Sequence, residues 1–129
     1  MATNFLAHMA ADNYRLERSR LLDTPVAGTV YNVIRIPRFA FVKGVYLGID
    51  TVFGAGCTVK VGYSGNGGAG DDDYFLTTVE NDPTALGWTT SVDALWFSSA
   101  NGLITVTCAD ALGSGTGKLY VFAEYTIIH

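Results

Sequence analysis

Hydrophobic and polar positions alternate with a period of two through most of the chain after residue 28. The clearest run sets Cys57, Val59, Val61 and Tyr63 against Thr58, Lys60, Gly62 and Ser64. A second sets Val45, Leu47 and Ile49 against Gly44, Tyr46, Gly48 and Asp50. Ile104, Val106 and Cys108 form a third apolar row. This spacing is that of half-buried β-strands, whose successive side chains point to opposite faces. It predicts strands over residues 29–36, 39–52, 57–64, 92–98, 103–109 and 118–128, with a short apolar run at Tyr74-Phe75-Leu76. Pro37 cannot donate to a sheet ladder, so it belongs to the corner between the first two.

Turn residues punctuate the same register. Phe53-Gly54-Ala55-Gly56, the glycine-rich stretch 65–70 and Gly113–Gly117 read as turns or loops, and residues 77–91 read as loop. Asn101-Gly102 carries the pair favoured in tight hairpins. Short strands at regular spacing, with no helical crossovers between them, predict an all-β, antiparallel β-sandwich. Residues 1–24 differ. Phe5, Met9 and Leu16 fall near helical spacing, but Asp12 and Asn13 interrupt the apolar side. Asp23-Thr24-Pro25 then breaks the pattern. Residues 1–24 are therefore expected as an N-terminal arm, and residues 25–129 as the sandwich domain.

The closing strand changes the picture most. Leu119, Val121, Ala123, Tyr125 and Ile127 form one face, and Tyr120, Phe122, Glu124, Thr126 and Ile128 the other. Both are rich in large apolar groups, whereas a sandwich strand needs only one buried face. Tyr120, Phe122, Thr126 and Ile128 are thus candidates for a subunit interface, with coverage by the arm of the same chain as the competing reading. Composition agrees with a covered surface. Of 129 residues, 49% are hydrophobic and only 16% charged, against about a quarter charged in ordinary soluble domains.

Charge is unevenly placed. Residues 1–43 carry six of the eight basic groups (Arg15, Arg18, Arg20, Arg35, Arg38, Lys43) against Asp12, Glu17 and Asp23, a net of +3. The remainder is net −7 within an overall −4. A basic leading segment on an acidic body suggests docking onto a negative partner. The expected partner-binding residues of the arm are Phe5, Met9, Arg15, Arg18 and Arg20. An acidic body disfavours nucleic acid. No apolar run is long enough to span a membrane, and no secretory leader is recognisable at residue 1.

Candidate chemistry is sparse. Gly65–Gly70 matches G-x-G-x-x-G, but three aspartates follow where a helix N-terminus would have to hold phosphate. Asp71, Asp72 and Asp73 suit a hard cation, yet consecutive strand residues should point apart, so a solvated acidic turn is expected. His8 and His129 have no Cys or His at ligand spacing, and no Gly-x-Ser-x-Gly elbow occurs. Cys57 and Cys108 are expected as buried thiols. Trp88 and Trp96 could serve a sugar-stacking platform. No cofactor and no enzymatic activity are expected.

Ile34-Arg35-Ile36-Pro37, the strand from Phe41 to Asp50-Thr51, the strand Thr58–Tyr63, the acidic Asp71–Leu76 and the closing Gly117–Tyr125 resemble small phage virion structural proteins. These are chiefly capsid decoration (cement) proteins and head or tail fibre modules. Arg38 stands where the pattern has alanine or glycine. The resemblance implies a jelly-roll-like sandwich, a homotrimer bound to a major capsid protein, and a place in the virion after assembly in the host cytoplasm. The alternatives are a tail or fibre adaptor and a carbohydrate-binding module.

Overall fold

A computed structural model describes residues 14–91, 93–98, 100–110 and 117–128. Its regular elements are all strands: β1 (Tyr14–Arg18), β2 (Leu22–Asp23), β3 (Val30–Ile36), β4 (Ala40–Thr51), β5 (Cys57–Gly65), β6 (Gly68–Leu76), β7 (Gly87–Ser91), β8 (Leu95–Phe97), β9 (Gly102–Asp110) and β10 (Lys118–Ile127). Among the described residues no helix is long and apolar enough to cross a membrane.

The strands form two antiparallel sheets. Sheet A runs β1-β10-β4-β7, with β2 also on β10 and β8 also on β4; sheet B runs β3-β9-β5-β6. β1 and β2 follow one another along β10, as β7 and β8 do along β4. Counted as broken single strands, they make each sheet four strands wide. The chain order is then that of a jelly roll, an eight-stranded double sheet of two Greek keys.

The alternating residues meet between the sheets. Val42, Val45, Leu47, Leu119, Val121 and Ala123 of sheet A are buried against Ile36, Val59, Val61, Ile104, Val106 and Phe75 of sheet B. One irregularity keeps β4 in phase. The register with β10 shifts between Glu124 and Tyr125, so Lys43 and Gly44 take up an extra residue and Val42 and Val45 both face inward. Cys57 and Cys108 are both buried and are not joined to each other. Burial pushes the Cys108 thiol up to about 12, with Cys57 adding to it.

Pro37 lies in the corner where the chain passes from sheet B to sheet A. The corner is pinned: the Arg38 amide donates to Asn101 Oδ1 at 2.9 Å and the Phe39 amide to the Phe97 carbonyl at 2.6 Å. Phe39 there adopts a φ of 66°, a conformation uncommon for a bulky residue.

Several local expectations are revised. Asn101-Gly102 is not a hairpin, since β8 belongs to sheet A and β9 to sheet B. Gly102 is needed for space: a Cβ there would lie 2.0 Å from the Phe97 ring. The tight turn is instead Asn66-Gly67, where both residues have positive φ (57° and 79°) and Gly65 pairs with Gly68. That is the geometry of a two-residue I′ hairpin, so the expected loop at 65–70 is largely strand. Residues 77–91 are not all loop either, because Gly87–Ser91 pairs with β4 from Ile49 to Val45. Tyr14–Asp23, expected within the arm, is extended and hydrogen-bonded along β10 as the edge of sheet A. The Ser19 amide donates to the Val121 carbonyl at 2.7 Å, and the Val121 amide to Ser19 Oγ at 2.9 Å. Phe5, His8, Met9 and His129 lie outside the described residues.

Candidate interface on the outer face of sheet A

The two sheets differ on their outer faces. On sheet B the outward positions are mostly threonine, lysine and small residues: Thr58, Lys60, Gly62, Thr105 and Thr107 lie in adjoining rows. On sheet A many of them are aromatic. Antiparallel partners share a face, so the registers give the rows directly. Arg18, Phe122, Tyr46 and Thr90 form one row. Tyr120, Gly48 and Trp88 form the next. Tyr14, Thr126, Phe41 and Trp96 form a third.

Each side chain reaches this face for a local reason. β10 alternates throughout, so burying Leu119, Val121 and Ala123 sends Tyr120, Phe122 and Glu124 outward. β4 presents Tyr46 and Gly48 because Val45, Leu47 and Ile49 are inside. Gly48 leaves a shallow gap that Trp88 fills: a Cβ there would lie 2.5 Å from the indole ring. Trp88 in turn packs on Phe122 with ring centroids 5.1 Å apart. The Arg18 guanidinium lies 4.8 Å from the centre of the Tyr120 ring, within cation–π range.

Polar groups are tied down inside this apolar frame. The Tyr46 hydroxyl donates to Glu124 Oε2 at 2.7 Å, and Lys43 Nζ lies 3.6 Å from Glu124 Oε1. That hydrogen bond to Glu124, aided by burial, holds the Tyr46 phenol above its usual pKa. Yet the described residues leave much of the face open. Trp88 is 58% exposed, Leu16 55%, Ile128 53%, Tyr14 41% and Trp96 40%. A contiguous apolar patch rimmed by polar groups marks an interaction surface, and clustered aromatics are the usual anchors of one.

The sequence-predicted residues fall as follows. Tyr120, Phe122 and Thr126 belong to this side of β10, and Ile128 follows the end of the strand and is exposed. The described part of the arm lies beside β10 in the plane of the sheet, with only the Arg18 guanidinium reaching over the Tyr120 ring among the contacts described. Arg18 borders the face; Arg15, on the alternate side of β1, donates to the Tyr14 carbonyl, and Arg20 is exposed. Glu17 anchors the edge by accepting a hydrogen bond from the Tyr125 hydroxyl. Burial, reinforced by Glu17, raises the Tyr125 phenol well above its ordinary value. Phe41, Tyr46, Leu16 and Tyr14 were missed as members of the face. Trp88 and Trp96 were singled out, but for a separate platform. For Tyr46 the signal was present, because the alternation around Val45 and Leu47 already put it outside.

The acidic triplet is the other cluster, and it corrects an expectation. Asp71, Asp72 and Asp73 do converge, with carboxylate oxygens all within 4.8 Å of one another. The reason is a break in register. Tyr63 pairs with Asp71 but Val61 pairs with Leu76, so residues between them leave the ladder. Lys60 Nζ lies 2.9 Å from Asp72 Oδ2, and the Asp73 amide donates to Asp71 Oδ1 at 3.2 Å. The Asp71 side chain, together with the like charges around it, raises the Asp73 carboxyl pKa.

No protein-family model matches the chain, and no curated protein is similar to it in sequence. Solved structures are similar in fold. A chain from the acidic stable capsid structure of Helicobacter pylori bacteriophage KHP30 superposes with a TM-score of 0.66 at 20% identity, covering 88% of this chain and 86% of that one. A chain of the cyanophage Pam1 capsid asymmetric unit gives 0.63 at 17% identity, covering 90% and 86%. A chain of the capsid of Ralstonia phage GP4 gives 0.63 at 17%, covering 90% and 85%. The fold is thus shared across nearly the whole length of each.

Proposed function

We propose that the protein is a non-enzymatic structural component of a phage virion, a capsid decoration (cement) protein that seats the outer face of sheet A on neighbouring capsid subunits. The observation that carries this reading is the aromatic face itself, a row-by-row apolar surface on a sheet whose core side is already filled. The fold likeness supports it, because the matched chains occur in phage capsids and are close to this chain in length. A short chain of that kind fits an addition to a shell better than its main building block.

The mechanism is burial repeated across a lattice. Trp88 and Phe122 act as paired anchors, and Trp96 with Phe41 as a second pair. Several copies joined as a homotrimer bind the major capsid protein through repeated contacts, which multiplies a modest single-site affinity. Phe5 and Met9 add apolar contacts to the same partner, and the arginines of the arm add charge. The direct experiment is to add the purified protein to capsids depleted of it and follow capsid heat stability. Stabilisation by the native chain that is lost with Phe122→Glu supports the proposal. No stabilisation at saturating protein overturns it.

The exposed indoles favour one other reading, a carbohydrate-binding face using Trp88 and Trp96. Glycan-array binding by the isolated protein, abolished by Trp88→Ala, would support that reading instead. A tail or fibre adaptor would bind tail rather than head particles in the same assay.

A further inference from the structure

Arg35, Leu103 and Ser64 form the outward row of sheet B nearest the corner at Pro37. Arg35 points outward because its neighbours Ile34 and Ile36 are buried in the core. With Gly65, Asn101, Gly102 and Leu103 it lines a groove of about 300 Å³, at the small end of the range for ligand pockets. Arg38 stands at the same place, because its amide is bonded to Asn101.

The side chains here offer donors to a ligand. Asn101 Oδ1 accepts the Arg38 amide at 2.9 Å, which leaves the Asn101 side-chain nitrogen as the donor. The Arg38 guanidinium lies 4.6 Å from the centre of the Phe39 ring. That stack steadies the cation without neutralising it. Among the described residues no carboxylate lies within ion-pair distance of Arg35 or Arg38. Residues 33–42, 62–70 and 95–105, which build this end of the sandwich, contain no Asp or Glu. The frame is also held firmly. Phe39 keeps its φ of 66° while its amide donates to the Phe97 carbonyl at 2.6 Å and its carbonyl accepts the Ile128 amide at 2.7 Å. Strained backbone that its surroundings hold in place in this way concentrates at ligand clamps and active sites.

The geometry points to a binding site for a carboxylate, presented by a short acidic segment of a protein partner. Arg35 and Arg38 flank Asn101, and the planar fork of an arginine binds a carboxylate bidentately. Asn101 adds a neutral donor between them. Leu103 supplies an apolar wall for the methylene groups of a glutamate side chain. Nucleic acid also carries anionic oxygens, but two observations favour the peptide. The chain has a net charge of −4, which repels a long polyanion. Ser64, in the same row as Arg35, also lines the adjoining groove with Asp71 and Asp72. A polyanion running along sheet B would meet those carboxylates, whereas a short segment confined to the corner does not. The groove opens on sheet B, so the proposal does not rest on the seating of sheet A.

The test is an NMR titration of the full chain with a short polyglutamate peptide blocked at both ends. Polyglutamine of equal length and oligothymidylate of equal charge are the comparisons. Polyglutamate should shift the amide signals of Arg38, Asn101 and Gly102 to saturation, and its affinity should fall as salt rises. Polyglutamine should leave them in place. Arg35→Gln with Arg38→Gln should bind polyglutamate at least about tenfold more weakly. Asn101→Asp keeps an oxygen for the Arg38 amide but puts a carboxylate where the donor was. It should keep the native melting temperature and lose the peptide. Arg35→Lys keeps the charge without the fork and should bind more weakly than the native chain. No shifts at the corner, or undiminished affinity in folded Asn101→Asp or in the folded double variant, would overturn the proposal. Tighter binding of oligothymidylate than of polyglutamate would overturn the acidic peptide as the occupant.

Discussion

Replacing Gly48 by alanine tests the aromatic face without touching an aromatic residue. The new Cβ would lie 2.5 Å from the Trp88 ring, well inside contact distance. Gly48 is an inner residue of β4 and has no positive φ, so the backbone accepts alanine. Trp88 is 58% exposed and has room to swing outward. It would then leave Phe122, whose ring centroid is now 5.1 Å away. Losing that ring pair costs about 0.5–1.5 kcal/mol, while removing a glycine from the unfolded ensemble returns about 0.4–1 kcal/mol. The net change in folding stability should stay within about 1 kcal/mol of zero. Binding should respond differently. If Trp88 anchors the partner, displacing it costs about 2 kcal/mol or more, roughly thirtyfold in affinity. The assay pairs thermal denaturation of the free protein with a titration onto depleted capsids, and Trp fluorescence reports the displacement. A near-native melting temperature with affinity reduced at least tenfold is expected. Displaced Trp88 with undiminished affinity would refute the role given to it.

Other consequences follow from the interior. Tyr125→Phe should weaken the hold on β1, because it removes a hydrogen bond to the Glu17 carboxylate, a type worth about 1.5–3 kcal/mol. The phenols of Tyr46, Tyr74 and Tyr125 all sit above their ordinary pKa of 10.0 in the fold. The folded state thus keeps protons the unfolded chain releases, so stability is intact below about pH 10 and declines above it. Alkaline denaturation of Tyr125→Phe should show a shallower decline, and an unchanged slope would count against Tyr125 as a source. The Cys108 thiol, pushed up to about 12 by burial, should resist a thiol reagent at pH 8 until the protein is unfolded. Gly102→Ala drives a Cβ to 2.0 Å from the fully buried Phe97 ring. It should cost about 1–3 kcal/mol, read as a lowered denaturation midpoint.

The legible parts of the fold were those where burial imposes a period. β5, β9, β10 and the second half of β4 each place one side against the core, so their alternation survives in the sequence. β1 was illegible because all its residues are exposed and its identity comes from hydrogen bonds to β10. β7 offered only Gly-Trp-Thr-Thr-Ser, in which a single residue is buried. Asn101-Gly102 shows the limit of local signals. The pair favours a tight turn, but Gly102 is required by the Phe97 ring in the other sheet, a contact set by how the chain crosses between sheets and not by turn propensity. The aromatic face was half legible for a related reason. β10 announced itself through two apolar sides, whereas the assembly of Phe41, Tyr46, Trp88 and Trp96 beside it depends on a register set by sheet pairing. The convergence of Asp71, Asp72 and Asp73 likewise depends on a break in the β5–β6 ladder.

The proposed role requires the outer face of sheet A to be buried in the particle. Oxidative footprinting measures that directly, comparing the isolated protein with intact virions that contain it. Trp88, Trp96 and Phe41 should oxidise readily in the free protein, as their exposure of 58%, 40% and 36% requires. They should be protected in the virion, while exposed Val79, on a loop away from that face and 90% accessible, keeps its reactivity. Equal oxidation of both tryptophans in the two states would contradict the account.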